Sequence, residues 1–189
     1  MSTTPAPAEH LEQTPVPDAD RTVTVWEDGV QLDFTFADCM RYHGPGFPGG
    51  VAHAFAVLGR ALPELAARAG GRVERRQIRI RTAFPGPGGR DAIELVTRAV
   101  TGERFEVVPE LARPERGNTL ARYVFEISAG NATVTCVLRD DGIVADEFIE
   151  LGAKPDKTEA ELAHLEVLKA EMRDRILERD PAMVYDLEG

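Results

Sequence analysis

The sequence predicts an α+β fold: one domain in which an antiparallel sheet, a meander, packs against a few helices. Three observations predict it. Residues 75–84 and 104–151 alternate apolar and polar side chains between turn dipeptides, as half-buried antiparallel strands do. Residues 51–65 and 162–176 instead space their apolar side chains by three and four, which makes one stripe on a helix. A chain of 189 residues is long enough for one well-cored domain and short for two.

Residues 1–20, MSTTPAPAEHLEQTPVPDAD, hold almost no large apolar side chains and cannot offset the entropy of ordering. A disordered tail is expected there, with the domain spanning 21–189. TVTVWEDGVQLDFTF (22–36) is two runs around Asp28-Gly29, a dipeptide that tolerates the positive φ of a hairpin turn. A short turn with Cys39, Met40 and Tyr42 is expected next, then the Gly/Pro loop GPGFPGG. After it Val51, Phe55, Leu58, Leu62 and Leu65 form a helical stripe, which Pro63 should kink or restart and Gly70-Gly71 should end.

RRQIRIRTAF (75–84) reads as a strand with Ile78, Ile80, Thr82 and Phe84 on its core face. A second Gly/Pro loop, PGPGG (85–89), leads into a helix carrying Ala92, Val96, Ala99 and Val100. RFEVV, LARYVFEIS, NATVTCVLR and IVADEFIEL then read as short strands, separated by Gly130-Asn131 and Asp140-Asp141-Gly142. The end, about 158–179, is an amphipathic helix. Thr158 and Glu161 form its capping box, Leu162, Leu165, Leu168, Met172 and Ile176 its stripe, and Asp180-Pro181 its stop.

A formal charge of −10 disfavours nucleic acid and anionic lipid, which reward basic faces. No run approaches the roughly 18 apolar residues of a bilayer span, and the tail lacks the features of a secretory signal, so a soluble cytoplasmic protein is expected. The basic residues are nearly all Arg, with only Lys154, Lys157 and Lys169 as lysines, a bias typical of GC-rich bacterial genomes. Cys39 and Cys136 lie far apart without a CxxC, which argues for reduced thiols, and Cys136, alternating with Val134 and Leu138, reads as a core thiol.

The two Gly/Pro loops are where chemistry is expected. Gly44, Gly46 and Gly49 spell GxGxxG, yet Pro45 and Pro48 remove amide donors a dinucleotide needs, and no buried parallel strand precedes them. More telling is that both loops precede helices: two N-termini facing one cavity would offer amide donors to an anion or a carboxylate. Phe47, Gly88 and Gly89 join Gly44, Gly46 and Gly49 as the expected ligand-binding loop residues. His43 borders the first loop and can bind a metal, hold a haem iron or move a proton near neutral pH. Cys39 and His53 could complete a metal set with it if the loop folds back. Asp91 opens the second helix, where it either caps the N-terminus or orients His43. Arg79 and Arg81 share the polar face of their strand, suited either to an anionic substrate or to surface ion pairs.

YHGPGFPGGVAHAFAVLGRAL, then GGRDAIELVTRAVTG, then RGNTLARYVFEIS together resemble the family of the E component of formylmethanofuran dehydrogenase, over roughly residues 36–138. His43 and Gly44 match the start of the family's His-Gly-His turn, Pro48 and Gly49 the end of its Cys-Pro-Gly, and Asp91-Ala92-Ile93 its later helix. Pro45 replaces the second histidine, Phe47 the first cysteine, glycine near 88 the cysteine ahead of the aspartate, and Ala99 the last cysteine. The resemblance implies an α+β domain, a cavity lined by the two loops and a homodimer, with the thiolate metal site largely lost.

Three functions are compatible with these residues. The first is a small-ligand-binding protein that takes a metal ion, haem or a small organic molecule at the two loops, with His43 as a contact. The second is a metal-independent enzyme of small-molecule biosynthesis with His43 as general base, oriented by Asp91 and assisted by Tyr42. The third is a structural or regulatory partner acting through the C-terminal helix. In the first two, His43 should point into the main pocket within reach of residues 85–94.

Overall fold

The computed structural model describes residues 21–188, so the expected tail at 1–20 lies outside the described residues. β1 (Thr22–Glu27) and β2 (Val30–Thr35) pair antiparallel through Asp28 and Gly29, whose φ of 52° and 80° fit the predicted hairpin. α1 (Phe36–His43) then takes the place of the expected turn. A capping box explains it: Thr35 Oγ1 accepts the Asp38 amide, and the Asp38 carboxylate accepts the Thr35 amide. Gly44, at φ 90°, ends α1 and donates to the Met40 carbonyl at 2.7 Å.

α2 (Pro48–Ala69) starts inside the first Gly/Pro loop and runs without a break through Pro63. The ring of Pro63 is exposed, and the bond it forfeits is to the half-buried Gly59 carbonyl four residues back. β3 (Ile78–Thr82) buries Ile78, Ile80 and Thr82 and exposes Arg79 and Arg81, as the alternation predicts. α3 (Pro87–Thr97) begins within the second loop and ends at Arg98, whose φ is 53°, so Ala99 and Val100, expected on the helix, lie beyond it. β4 (Phe105–Val107) returns parallel to β3, which corrects the all-antiparallel expectation for this stretch. A helix between two strands permits that parallel return.

α4 (Gly117–Leu120) is one turn before β5 (Val124–Ala129) and β6 (Ala132–Leu138), which form the predicted antiparallel pair. The segment 143–151, expected as a strand, instead holds α5 (Asp146–Ala153). Val144, Phe148 and Leu151 are spaced by four and three, and Asp146 and Glu147 sit in the first turn where the helix dipole favours them. α6 (Glu159–Leu177) has the predicted Thr158–Glu161 capping box; of the predicted stripe Leu168, Met172 and Ile176 are buried and Leu165 half-buried, whereas Leu162 is exposed and Leu177, outside the stripe, is buried. α7 (Pro181–Val184), capped by Asp180, turns the chain into an unpredicted strand, β7 (Tyr185–Glu188).

The result is an α+β domain with a two-stranded hairpin and a five-stranded sheet ordered β4-β3-β5-β6-β7, antiparallel except at β4. α2 is the central helix: it packs against β1 of the hairpin, against β5, β6 and β7 of the larger sheet, and against α1, α3, α6 and α7. Among the described residues no helix is long and apolar enough to cross a membrane.

Candidate functional site

α1 ends where α2 and α3 begin, so three helix termini meet. His43, in the last turn of α1, donates through Nδ1–H to Asp91 Oδ2 on α3 at 2.8 Å. The His43 side chain is only 7% exposed, and among the described residues its buried Nε2 has no partner. Such a carboxylate contact fixes the ring and leaves Nε2 as the lone-pair nitrogen. Asp91 lies in the second turn of α3, so it orients the imidazole and does not cap the helix. Tyr42 is exposed, and among the described residues its hydroxyl has no bond to either partner, which removes it from the expected trio.

Beside this pair lies a cavity of about 270 Å³. Its floor is glycine backbone from both loops, Gly49 and Gly50 on α2 with Gly86 and Gly88 at α3. Phe47, Phe84, Tyr123, Phe148, Leu165 and Met172 wall it, and Lys169 stands at its rim. Gly44, Gly46 and Gly89, expected to contact the ligand, do not line it: Gly44 terminates α1, Gly46 gives its carbonyl to Lys169 Nζ at 3.4 Å, and Gly89 packs against Gly50. His43 does not line it either. Phe47 intervenes, 5.9 Å from the His43 ring on one side and under Lys169 Nζ, 4.5 Å from the ring centre, on the other.

Glycine is required where the two loops touch. A Cβ on Gly88 would lie 2.6 Å from the Phe47 carbonyl oxygen and 3.0 Å from the Val51 nitrogen, both backbone atoms. Gly88→Ala is therefore expected to part α2 from α3 at a cost of about 1–3 kcal/mol, outweighing a helix-propensity gain of at most about 1 kcal/mol. Gly46→Ala, with open space at its Cβ, serves as the control. Thermal unfolding should separate the two; equal midpoints would mean that the loops do not need this contact.

The remaining expected metal ligands are not brought together. Cys39 is fully buried in α1, and burial, then the Asp38 charge, pushes its thiol up to about 12, away from a ligating thiolate. His53, a turn beyond Gly49 on α2, is enclosed by Phe84, Tyr123 and Tyr185, with Nδ1 2.7 Å from the Tyr185 hydroxyl. Burial lowers its pKa to about 3. Among the described residues no group of three His, Cys, Asp or Glu side chains could hold a metal ion. Among the described residues that line the cavity there is no imidazole to hold a haem iron.

Cys136 is fully buried, as a core thiol should be. Arg81 pairs with Glu126 at 2.6 Å and Glu106 at 3.6 Å, the ion-pair use of that strand face. A wider hollow of about 660 Å³ there is polar sheet surface, remote from the loops. Phe84, Tyr123, Phe148, Gly152, Leu165, Lys169 and Met172 line the cavity without having been expected in a site. Their local sequence carries no signal of a site, and only the packing of α5, α6 and the segment before β5 around the loops assembles them. No protein-family model matches the chain, and no curated protein matches it.

Proposed function

We propose that this protein binds a small, largely apolar organic molecule in the cavity between its two Gly/Pro loops. The observation that carries this reading is a hollow walled by aromatic and aliphatic side chains whose floor is bare glycine backbone from two helix starts. Apolar walls with a few polar groups are the usual chemistry of small-molecule sites. At about 270 Å³ the hollow falls just below the roughly 300–1,000 Å³ typical of drug-sized ligands, which argues for a compact ligand.

The test is ligand-induced stabilisation across a panel of small aromatic and branched aliphatic compounds. A compound at about 100 times its Kd adds about 2.7 kcal/mol, or roughly 5–10 °C for a chain of this size. Leu165→Trp, which fills the cavity from α6, should abolish the gain. Equal stabilisation of the wild type and Leu165→Trp, or of neither, rules out the cavity as the site.

A second reading, an enzyme with His43 as general base, is favoured by the Asp91-oriented imidazole with its free Nε2. Phe47 would have to move for a ligand in the cavity to reach that nitrogen. On this reading His43→Gln keeps ligand binding and loses turnover.

A further inference from the structure

The two loops repeat one short pattern. Pro48-Gly49-Gly50 and Pro87-Gly88-Gly89 fill the first three positions of α2 and α3, helices of 22 and 11 residues. Neither N-cap residue, Phe47 or Gly86, supplies a side-chain hydrogen bond, and neither first turn contains an acidic residue. First-turn amides have no partner within their own helix, and the helix dipole concentrates positive potential on them. Here two such ends lie side by side, close enough that a Cβ on Gly50 would be 3.3 Å from the Gly89 nitrogen. Like ends repel, and an anion between them would turn that repulsion into attraction.

The cavity is where such an anion would sit, because Gly49, Gly50 and Gly88 form its floor. α3 also starts just past the carboxyl end of β3, with β4 parallel beside it, the usual location of anion sites in strand-helix-strand units.

A second observation, independent of the helix ends, points to the same ligand. Tyr123 lines the cavity and is only 4% exposed, and among the described residues its hydroxyl has no hydrogen-bond partner. The ring is held by His53 and Phe84, at 4.5 and 5.0 Å between ring centres, which leaves the hydroxyl free to donate to a ligand that accepts its proton. Lys169 adds a cation at the rim, shared with Glu166 at 2.7 Å. The nearest carboxylate on α3, Asp91, is occupied by His43 and lies 3.5 Å from Arg90.

Building on the ligand-binding reading above, we propose that the ligand is a small monocarboxylate. Its carboxylate rests on the Gly49, Gly50 and Gly88 amides and the Tyr123 hydroxyl, and its apolar body lies against Phe84, Phe148, Leu165 and Met172. One carboxylate fits a cavity whose lining is mostly hydrocarbon and whose polar side chains are Tyr123 and Lys169.

Matched pairs of probes test this with the full chain: benzoate and benzamide, phenylacetate and phenylacetamide, 3-methylbutanoate and 3-methylbutanamide. Affinity is measured by calorimetry and the contact by amide chemical shifts. The expected result is at least one carboxylate binding about tenfold or more tighter than its amide, with the Gly49, Gly50 and Gly88 resonances shifting most. Tyr123→Phe should weaken that carboxylate by about tenfold and leave its amide unchanged. Amides that bind as tightly as their carboxylates, or shifts that spare these glycines, overturn the carboxylate assignment while the cavity reading stands. Absence of binding by all six probes, with no stabilisation by the broader panel, overturns both.

Discussion

Arg75→Met is expected to lower the stability of the domain by about 3 kcal/mol, because one buried and one half-buried carbonyl would each lose a charged donor. Arg75 is 6% exposed, in the single turn just before β3. Its Nε donates to the Val96 carbonyl at 2.9 Å and its Nη2 to the Leu95 carbonyl at 2.5 Å, satisfying the last turn of α3. Nη1 reaches Glu27 on β1 at 2.9 Å, so one guanidinium ties the hairpin to the helix that frames the cavity. Methionine keeps the apolar stem and removes the donors together with the guanidinium over the Phe34 ring, 5.5 Å from its centre. Glu27 keeps Arg76 at 2.6 Å, so no loss is assigned to it. A loss of about 3 kcal/mol corresponds to a midpoint roughly 6–12 °C lower, and the cavity should open with it because α3 supplies Gly88. A change under about 1 kcal/mol in urea titrations would show that water replaces these bonds at no net cost.

Elements specified by their own residues are legible in the sequence: the hairpin by Asp28-Gly29, α6 by Thr158 and Glu161, and the strand face of Ile78 and Ile80 by alternation. α1 reads as a turn because its signal is a capping box closed by Asp38, one carbon shorter than the usual glutamate. α5 reads as a strand because the adjacent Ile143 and Val144, and Phe148 and Ile149, blur a period of 3.6 into an apolar cluster. The parallel return of β4 and the final pairing of β7 depend on partners far along the chain, which local pattern does not encode.

The candidate site divides in the same way. The two loops predict that His43 meets the 85–94 region, and Asp91 is its partner there. The repeated Pro-Gly-Gly is visible in the sequence, but its consequence, two uncapped helix ends in contact, needs the crossing of α2 and α3. Walls drawn from Phe84, Tyr123, Phe148 and Leu165 belong to four separate segments and exist only after packing.

The protein is expected to lose stability between pH 6.5 and 5, with His53 as the source. In the fold its pKa is lowered to about 3 by burial alone, whereas in the unfolded chain it titrates near 6.5. Above pH 6.5 the ring is neutral in both states and contributes no pH dependence. As the pH falls, the unfolded chain binds a proton that the folded one refuses, so stability declines by up to about 1.4 kcal/mol per unit until the folded ring itself titrates. By pH 5 the loss is roughly 2 kcal/mol. Around the ring stand Phe84 on the second loop, Tyr123 before β5 and Tyr185 on β7, and burial raises both phenols, so no neighbouring group titrates in this window. Carboxylates held low by their partners, Asp38 and Glu94 among them, contribute mainly below their unfolded values near 4, outside the window. Urea midpoints at pH 7, 6 and 5 for the wild type and His53→Gln give the measurement. The wild type should lose roughly 2 kcal/mol more than the variant over that range. Parallel curves would mean that the buried ring accepts its proton without unfolding, and that Tyr185 and the unpartnered Nε2 sit in a more polar place than their burial implies.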